Sequence, residues 1–203
     1  MKIKVICVGK LKEKYLVDGI KEYTKRISGY ADIEMIEVAD ERIPERASLA
    51  DEVMIKAKEG RKVLDKVKQD DYMILLDVNG KEMDSVDFSK HIENCMINGK
   101  STIDFVIGGS LGHGEEVLER ANLRLSFSPM TFPHQLMRLI LVEQIYRAFK
   151  IIRHETYHKW HRFLRMMGYH SFSLYIEYGI ISSQEKKDKW EFVVYRSDWN
   201  GLR

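Results

Sequence analysis

The chain has 203 residues, with 33 Lys+Arg against 31 Asp+Glu, a net charge of +2 and 44% hydrophobic residues. That balance describes a globular chain of one domain, or one domain with an appendage, and excludes a disordered one. No apolar run reaches the length of a membrane span, and Met1–Lys10 has a strand pattern rather than that of a signal peptide. A cytoplasmic protein is expected, with Cys7 and Cys95 buried and reduced.

In chain order, the β-branched run Lys2–Val8 predicts a first strand closed by Gly9. Leu11–Ser28 predicts a helix whose apolar side carries Leu11, Tyr15, Leu16, Ile20, Tyr23 and Ile27, ended by Gly29. Ile33–Val38 is a second strand. Ser48, with Asp51 three residues on, caps a long charged helix through Lys68. Asp71–Asp77 is a third, buried strand that ends in the turn Val78–Lys81. Ser85–Asn98 is a helix closed by Gly99, and Ser101–Ile107 is a strand that runs into four glycines within Gly108–Gly114. Glu115–Arg120 forms a short helix and Asn122–Phe127 a last strand. Strands alternating with helices predict an α/β fold: a mostly parallel sheet with helices on both faces.

Next comes Leu125–Lys159, around which the rest is arranged. Ser126–Phe132 is an aromatic-rich loop, and Pro133 stands where a helix would have its first turn. Leu136, Leu139, Ile140, Val142, Ile145, Tyr146, Phe149 and Ile152 then recur at mostly three- and four-residue steps, a wide apolar stripe. His134, Arg138, Glu143, Arg147, Lys150 and Arg153 are left for the other faces. A helix apolar over more than one face predicts burial against the core and against a second subunit.

Charge separates along the chain. Residues 1–133 carry 21 Lys+Arg and 24 Asp+Glu, whereas 134–159 carry 5 and 2. A basic helix beside a loop suits an anionic partner such as RNA. Ligands of open α/β sheets sit beyond the carboxyl ends of the strands. Three such ends look built for that role: Leu76–Gly80, Gly108–Gly114 and Phe127–Phe132. The glycine order G-G-x-x-G-x-G matches neither the dinucleotide fingerprint nor the phosphate-cradling loop. Phe127, Met130 and Phe132 make the third loop apolar enough to thread inward or line a pocket.

These residues resemble the ribosomal RNA large-subunit methyltransferase H family, a minimal branch of the SPOUT class. The shared pieces are VGKLK at Val8–Lys12, EYxKR at Glu22–Arg26, EG at Glu59–Gly60, LDxxGK at Leu76–Lys81 and FVIGGS at Phe105–Ser110. They continue with LSFSxMTFPHQ at Leu125–Gln135, EQxYRAFKI at Glu143–Ile151 and YHK at Tyr157–Lys159, so the resemblance covers 1–159. It implies a C-terminal trefoil knot, an exception to the rule that chains do not thread. It also implies an obligate homodimer, and methylation of N3 of a pseudouridine in 23S rRNA of the assembled ribosome; metal is expected to be irrelevant. S-adenosylmethionine would be held, bent, by Leu76, Gly108 and Phe127, Ser128, Pro129, Met130, Thr131 and Phe132.

Methyl transfer to N3 needs alignment of the nucleophile and a group to manage its proton and the developing charge. His134 and Arg138, four apart beside the cofactor loop, are the catalytic candidates, with Tyr157 and His158 completing a site from the partner subunit. Arg147 and Arg153 suit phosphates. Two other readings compete. His154-Glu155-x-x-His158 fits the HExxH pattern of zinc hydrolases, and the same fold can serve as a non-catalytic ribosome-binding module. Beyond Lys159 the resemblance stops. Residues 160–203 form an aromatic-rich extension with ten of the chain's 21 Phe, Trp and Tyr. A helix near Trp160–Met167, strands near Phe172–Ile181 and Trp190–Tyr195, and a charged break at Gln184–Lys189 are expected there.

Overall fold

The computed structural model describes residues 1–155 and the backbone of 182–186 and 189–193. The chain divides into two compact units, Met1–His158 and Lys159–Arg203.

The first unit is built from β1 (Lys2–Val8), α1 (Lys14–Ile27), β2 (Asp32–Val38), α2 (Leu49–Leu64), β3 (Tyr72–Glu82), α3 (Ser85–Ile97), β4 (Thr102–Ile107), α4 (Glu115–Arg120), β5 (Leu123–Ser126) and α5 (His134–Ile152). The strands form one sheet in the order β2-β1-β4-β3-β5, with every pair parallel. The α/β class is as expected. The connections β1→β2 and β3→β4 step one way across the sheet, and α1 and α3 cover one face. β2→β3 and β4→β5 step the other way, and α2 and α4 cover the opposite face. A single hand of crossover requires that split.

Alternation along each strand then sorts the core. Ile3, Val5 and Cys7 of β1 join Ile74, Phe105, Ile20, Ile92 and Ile145 on the face of α1, α3 and α5. Ile6 and Val8 join Met73, Leu75, Val106, Val63 and Val117 on the face of α2 and α4. Because both faces are covered, the central strands read as unbroken apolar runs. Cys7 and Cys95 are free thiols inside this core.

Several boundaries differ from the sequence reading. α1 begins at Lys14, not Leu11, because the Leu11 N–H donates to Glu37 Oε1 at 2.8 Å instead of entering a helix. α2 is capped by Ser48 in a full capping box with Asp51, as expected, but stops at Leu64 rather than Lys68. The Lys66 carbonyl accepts from the buried Lys4 Nζ at 2.7 Å, which takes this backbone out of helical register. Pro133 lies just before α5, with φ −55° and ψ 131°, rather than inside its first turn.

β3 does not end at Asp77. It pairs with β5 up to Leu76, makes a four-residue excursion over 77–80, and resumes pairing at Lys81. Gly80 is obligatory in that excursion: a Cβ there would lie 2.6 Å from the Arg124 carbonyl carbon. In the second unit, Ser182–Lys186 pairs antiparallel with Lys189–Val193. The expected charged break at Gln184–Lys189 is therefore largely strand. The helix expected near Trp160–Met167 and the strand near Phe172–Ile181 lie outside the described residues.

Candidate cofactor and catalytic site

In an all-parallel sheet the carboxyl ends of all strands share one edge. β4, β3 and β5 are neighbours, so Leu76, Gly108 and Phe127–Phe132 leave the sheet side by side. Leu76 is buried at the point where the β3 excursion begins. Asp77 ties the excursion down: Oδ1 accepts from the Asn79 N–H at 3.1 Å, and Oδ2 accepts from Arg124 Nε on β5 at 2.7 Å. Burial opposes the Asp77 charge, but these donors outweigh it and hold the carboxyl below its ordinary range.

The glycine loop after β4 is clamped from two sides. A Cβ on Gly108 would lie 2.8 Å from Cε1 of His113, and one on Gly109 would lie 2.9 Å from Glu59 Oε2. Glu59 is buried on α2, and its Oε1 accepts from the Glu41 N–H at 2.9 Å. The chain closes on itself through the Gly112 N–H, which donates to the Gly109 carbonyl at 3.2 Å.

The third loop is only partly internal. The Phe127 ring meets Phe88 edge-on, with centroids 6.5 Å apart. Ser128 and Phe132 are half-buried, while Pro129, Met130 and Thr131 are exposed, Met130 by 70%. Inward threading therefore holds at the ends of the loop and not at its tip. The tip is shaped by Ser128, whose hydroxyl accepts from the Met130 N–H at 3.0 Å.

α5 presents the catalytic candidates differently from the sequence expectation. His134 is half-buried at the first position of the helix, and burial, followed by the Arg138 charge, lowers its pKa. Arg138 is not on an outward face. It is 1% exposed, and its guanidinium donates to the Val8 carbonyl at 2.8 Å, the Gly9 carbonyl at 2.9 Å and Glu37 Oε1 at 2.9 Å. The same Glu37 oxygen receives the Leu11 N–H. Arg138 thus joins α5 to the ends of β1 and β2. The sequence reading passed over Glu37, whose part is visible only once three chain segments meet.

Arg147 is half-buried and paired with Glu143 one turn earlier. Arg153 is exposed at the end of α5. Tyr157 and His158 lie outside the described residues. His154 is not on a helix: it adopts φ 55° and closes α5, with its N–H on the Ile151 carbonyl and the Glu155 N–H on the Lys150 carbonyl. Glu155 is engaged by Tyr30 and Lys150. The helical context that HExxH chemistry requires is thus missing from the first half of the motif. Among the described residues, no three His, Cys, Asp or Glu side chains are grouped as metal ligands.

A cavity of about 320 Å³ lies away from the three loops, lined by Cys7, Leu11, Ile20, Met35, Glu37 and Arg138. On its wall Arg138 donates to Glu37 Oε1, and Arg138 Nε is left without a partner.

Comparison with known proteins bears on this arrangement. The family described as "Predicted SPOUT methyltransferase" matches residues 1–158. The Ribosomal RNA large subunit methyltransferase H of Enterococcus faecalis (strain ATCC 700802 / V583) is 55% identical over 159 residues, 78% of this chain and 100% of that protein. The Ribosomal RNA large subunit methyltransferase H of Clostridium botulinum (strain Kyoto / Type A2) is 56% identical over 159 residues, again 78% of this chain and all of the relative. A five-stranded parallel α/β sheet, three loops meeting at its carboxyl edge and a match over 1–158 place this chain in the SPOUT methyltransferase family.

Proposed function

We propose that the protein transfers a methyl group from S-adenosylmethionine to N3 of a pseudouridine in 23S rRNA, in the cytoplasm, on the assembled ribosome and as a homodimer. The observation that carries this reading is the convergence of Leu76, Gly108 and Phe127–Phe132 at one sheet edge, in a chain that covers the whole length of rRNA large-subunit methyltransferases. The family's trefoil threading is part of the reading. In its favour, β5 lies at one margin of the sheet, yet the chain returns in α5 to pack against both α1 and α3.

S-adenosylmethionine would supply the electrophilic methyl on a sulfonium. Backbone groups at Leu76 and Gly108 would hold its polar parts, and Phe127 and Phe132 its apolar faces. A Cβ at Gly108 would meet the His113 ring and the Gly112 carbonyl oxygen, so only glycine lets this loop keep its conformation at the cofactor edge. His134, neutral at pH 7, offers a lone pair for the N3 proton at the mouth of these loops. Tyr157 and His158 complete the site from the partner subunit, and Arg147 and Arg153 meet phosphates. Arg138 positions the start of α5 rather than touching substrate.

The test has two parts. Calorimetry with S-adenosylmethionine should show binding that Gly108→Val abolishes while the fold survives; undiminished affinity would remove the site from these loops. Ribosomes from cells lacking the enzyme should gain one methyl group per 23S rRNA, located by mass mapping at a pseudouridine. No incorporation, or a methyl on another base, would overturn the substrate.

A further inference from the structure

We propose that His113 is a positioning residue for the cofactor: its imidazole ties the end of β3 to the glycine loop after β4 and so sets the spacing of two of the three cofactor loops. This rests on the assignment of S-adenosylmethionine to those loops. His113 Nε2 lies 2.8 Å from the Leu76 carbonyl oxygen. A carbonyl can only accept, so the ring proton sits on Nε2 and the Nδ1 lone pair is left on the other side. That other side faces Gly108: a Cβ built there would come within 2.8 Å of Cε1 and 3.0 Å of Nδ1.

The imidazole thus fills the space beside Gly108 and holds the Leu76 carbonyl at the same time. It also lies within the field of the Asp77–Arg124 pair that fixes the β3 excursion. Burial first of all keeps the ring neutral, so one N–H and one lone pair are both present at pH 7. A leucine here would fill the space but drop the bond. A glutamine places its amide N–H where Nε2 stands and can restore it.

The experiment compares wild type, His113→Leu, His113→Gln and Gly108→Val for S-adenosylmethionine affinity, steady-state kinetics and hydrogen exchange of the 77–80 and 108–114 amides without cofactor. Loss of one hydrogen bond of this kind corresponds to about tenfold in an equilibrium constant. His113→Leu is expected to raise Kd and KM for the cofactor about tenfold, leave kcat within about twofold, and speed exchange in both loops. His113→Gln should recover most of each. Wild-type affinity and exchange in His113→Leu, or a glutamine variant as impaired as the leucine one, overturns the positioning role while the site stands. Full affinity in Gly108→Val overturns the loop assignment, and His113 falls with it.

Discussion

At the scale of single residues, buried charge organises this protein. Arg138 is enclosed, with three acceptors from two strands and one unpartnered Nε. Replacing it by leucine strands the Val8 and Gly9 carbonyls and leaves Glu37 without its cation. Arg138→Leu should cost about 3 kcal/mol of stability in denaturant unfolding, and Arg138→Lys should rescue little, since an ammonium cannot span the same fork. His134 is neutral at pH 7 because burial and Arg138 lower its pKa. A neutral proton acceptor is lost as pH falls through that lowered value, so kcat should fall only on the acid side of the ordinary histidine range and stay flat above it. His134→Gln should lower kcat and remove that acid limb; an unchanged profile would clear His134 of the role. Asp104 is completely buried 3.1 Å from Lys4 Nζ, which is itself hydrogen-bonded to Asp71 at 2.7 Å. Burial pushes the Asp104 carboxyl up to about 6, whereas Asp71, with the better share of Lys4, is held low. A raised carboxyl binds more protons folded than unfolded, so its contribution to stability falls as pH rises from about 4 to about 6. Urea melts should show Asp104→Asn gaining about 1–3 kcal/mol relative to wild type across that window; a pH-independent difference would contradict the raised value.

At the scale of elements, the β3–β5 pair is the least ordinary part of the sheet. β3 buckles out over 77–80 and rejoins β5, so one strand both closes the sheet edge and supplies a loop to the candidate site. The register depends on Gly80 lying flat against β5. Gly80→Ala forces a Cβ to within 2.6–2.7 Å of three backbone atoms at Arg124 and Leu125, and backbone cannot swing aside as a side chain end can. The variant should lose about 1–3 kcal/mol of stability and cofactor affinity together, seen by thermal melts and calorimetry. Retained affinity with wild-type stability would show that the excursion is soft. α5 behaves in the opposite way: it is held along its whole length, with Leu141, Val142, Ile145, Ala148 and Phe149 in the core. Leu139 and Tyr146 pack against α1 and its following turn, while Leu136 and Ile140 are half-buried on the face on which the homodimer reading relies.

At the scale of the whole molecule, the relatives that match this chain are covered completely by 159 residues. Everything assigned to cofactor and catalysis lies within that length, and Lys159–Arg203 forms a separate compact unit. A chain ending at Lys159 should therefore fold, dimerise and methylate ribosomes at least as well as the full one. Sedimentation and methyl incorporation, with both proteins at equal concentration, check this. Loss of the dimer or of activity on truncation would make the second unit an integral part of the enzyme.

Local pattern alone determined the α/β class, the element order and the Ser48 capping box, because these depend on neighbours a few positions apart. The three candidate loops were legible too, since a parallel sheet puts every strand's carboxyl end on one edge. Contacts between distant positions were decided only by tertiary structure. Arg138 has a charged residue's helical spacing, yet it is buried because β1 and β2 end 129–130 and 101 residues away in sequence at acceptors that satisfy it. α2 stops early because Lys4 claims the Lys66 carbonyl, 62 residues distant. His113 stood as an unassigned letter in a glycine motif until the fold set its ring between Leu76 and Gly108. A buried polar group must find a partner, and which partner is in reach depends on how the sheet orders its strands, which no local pattern records.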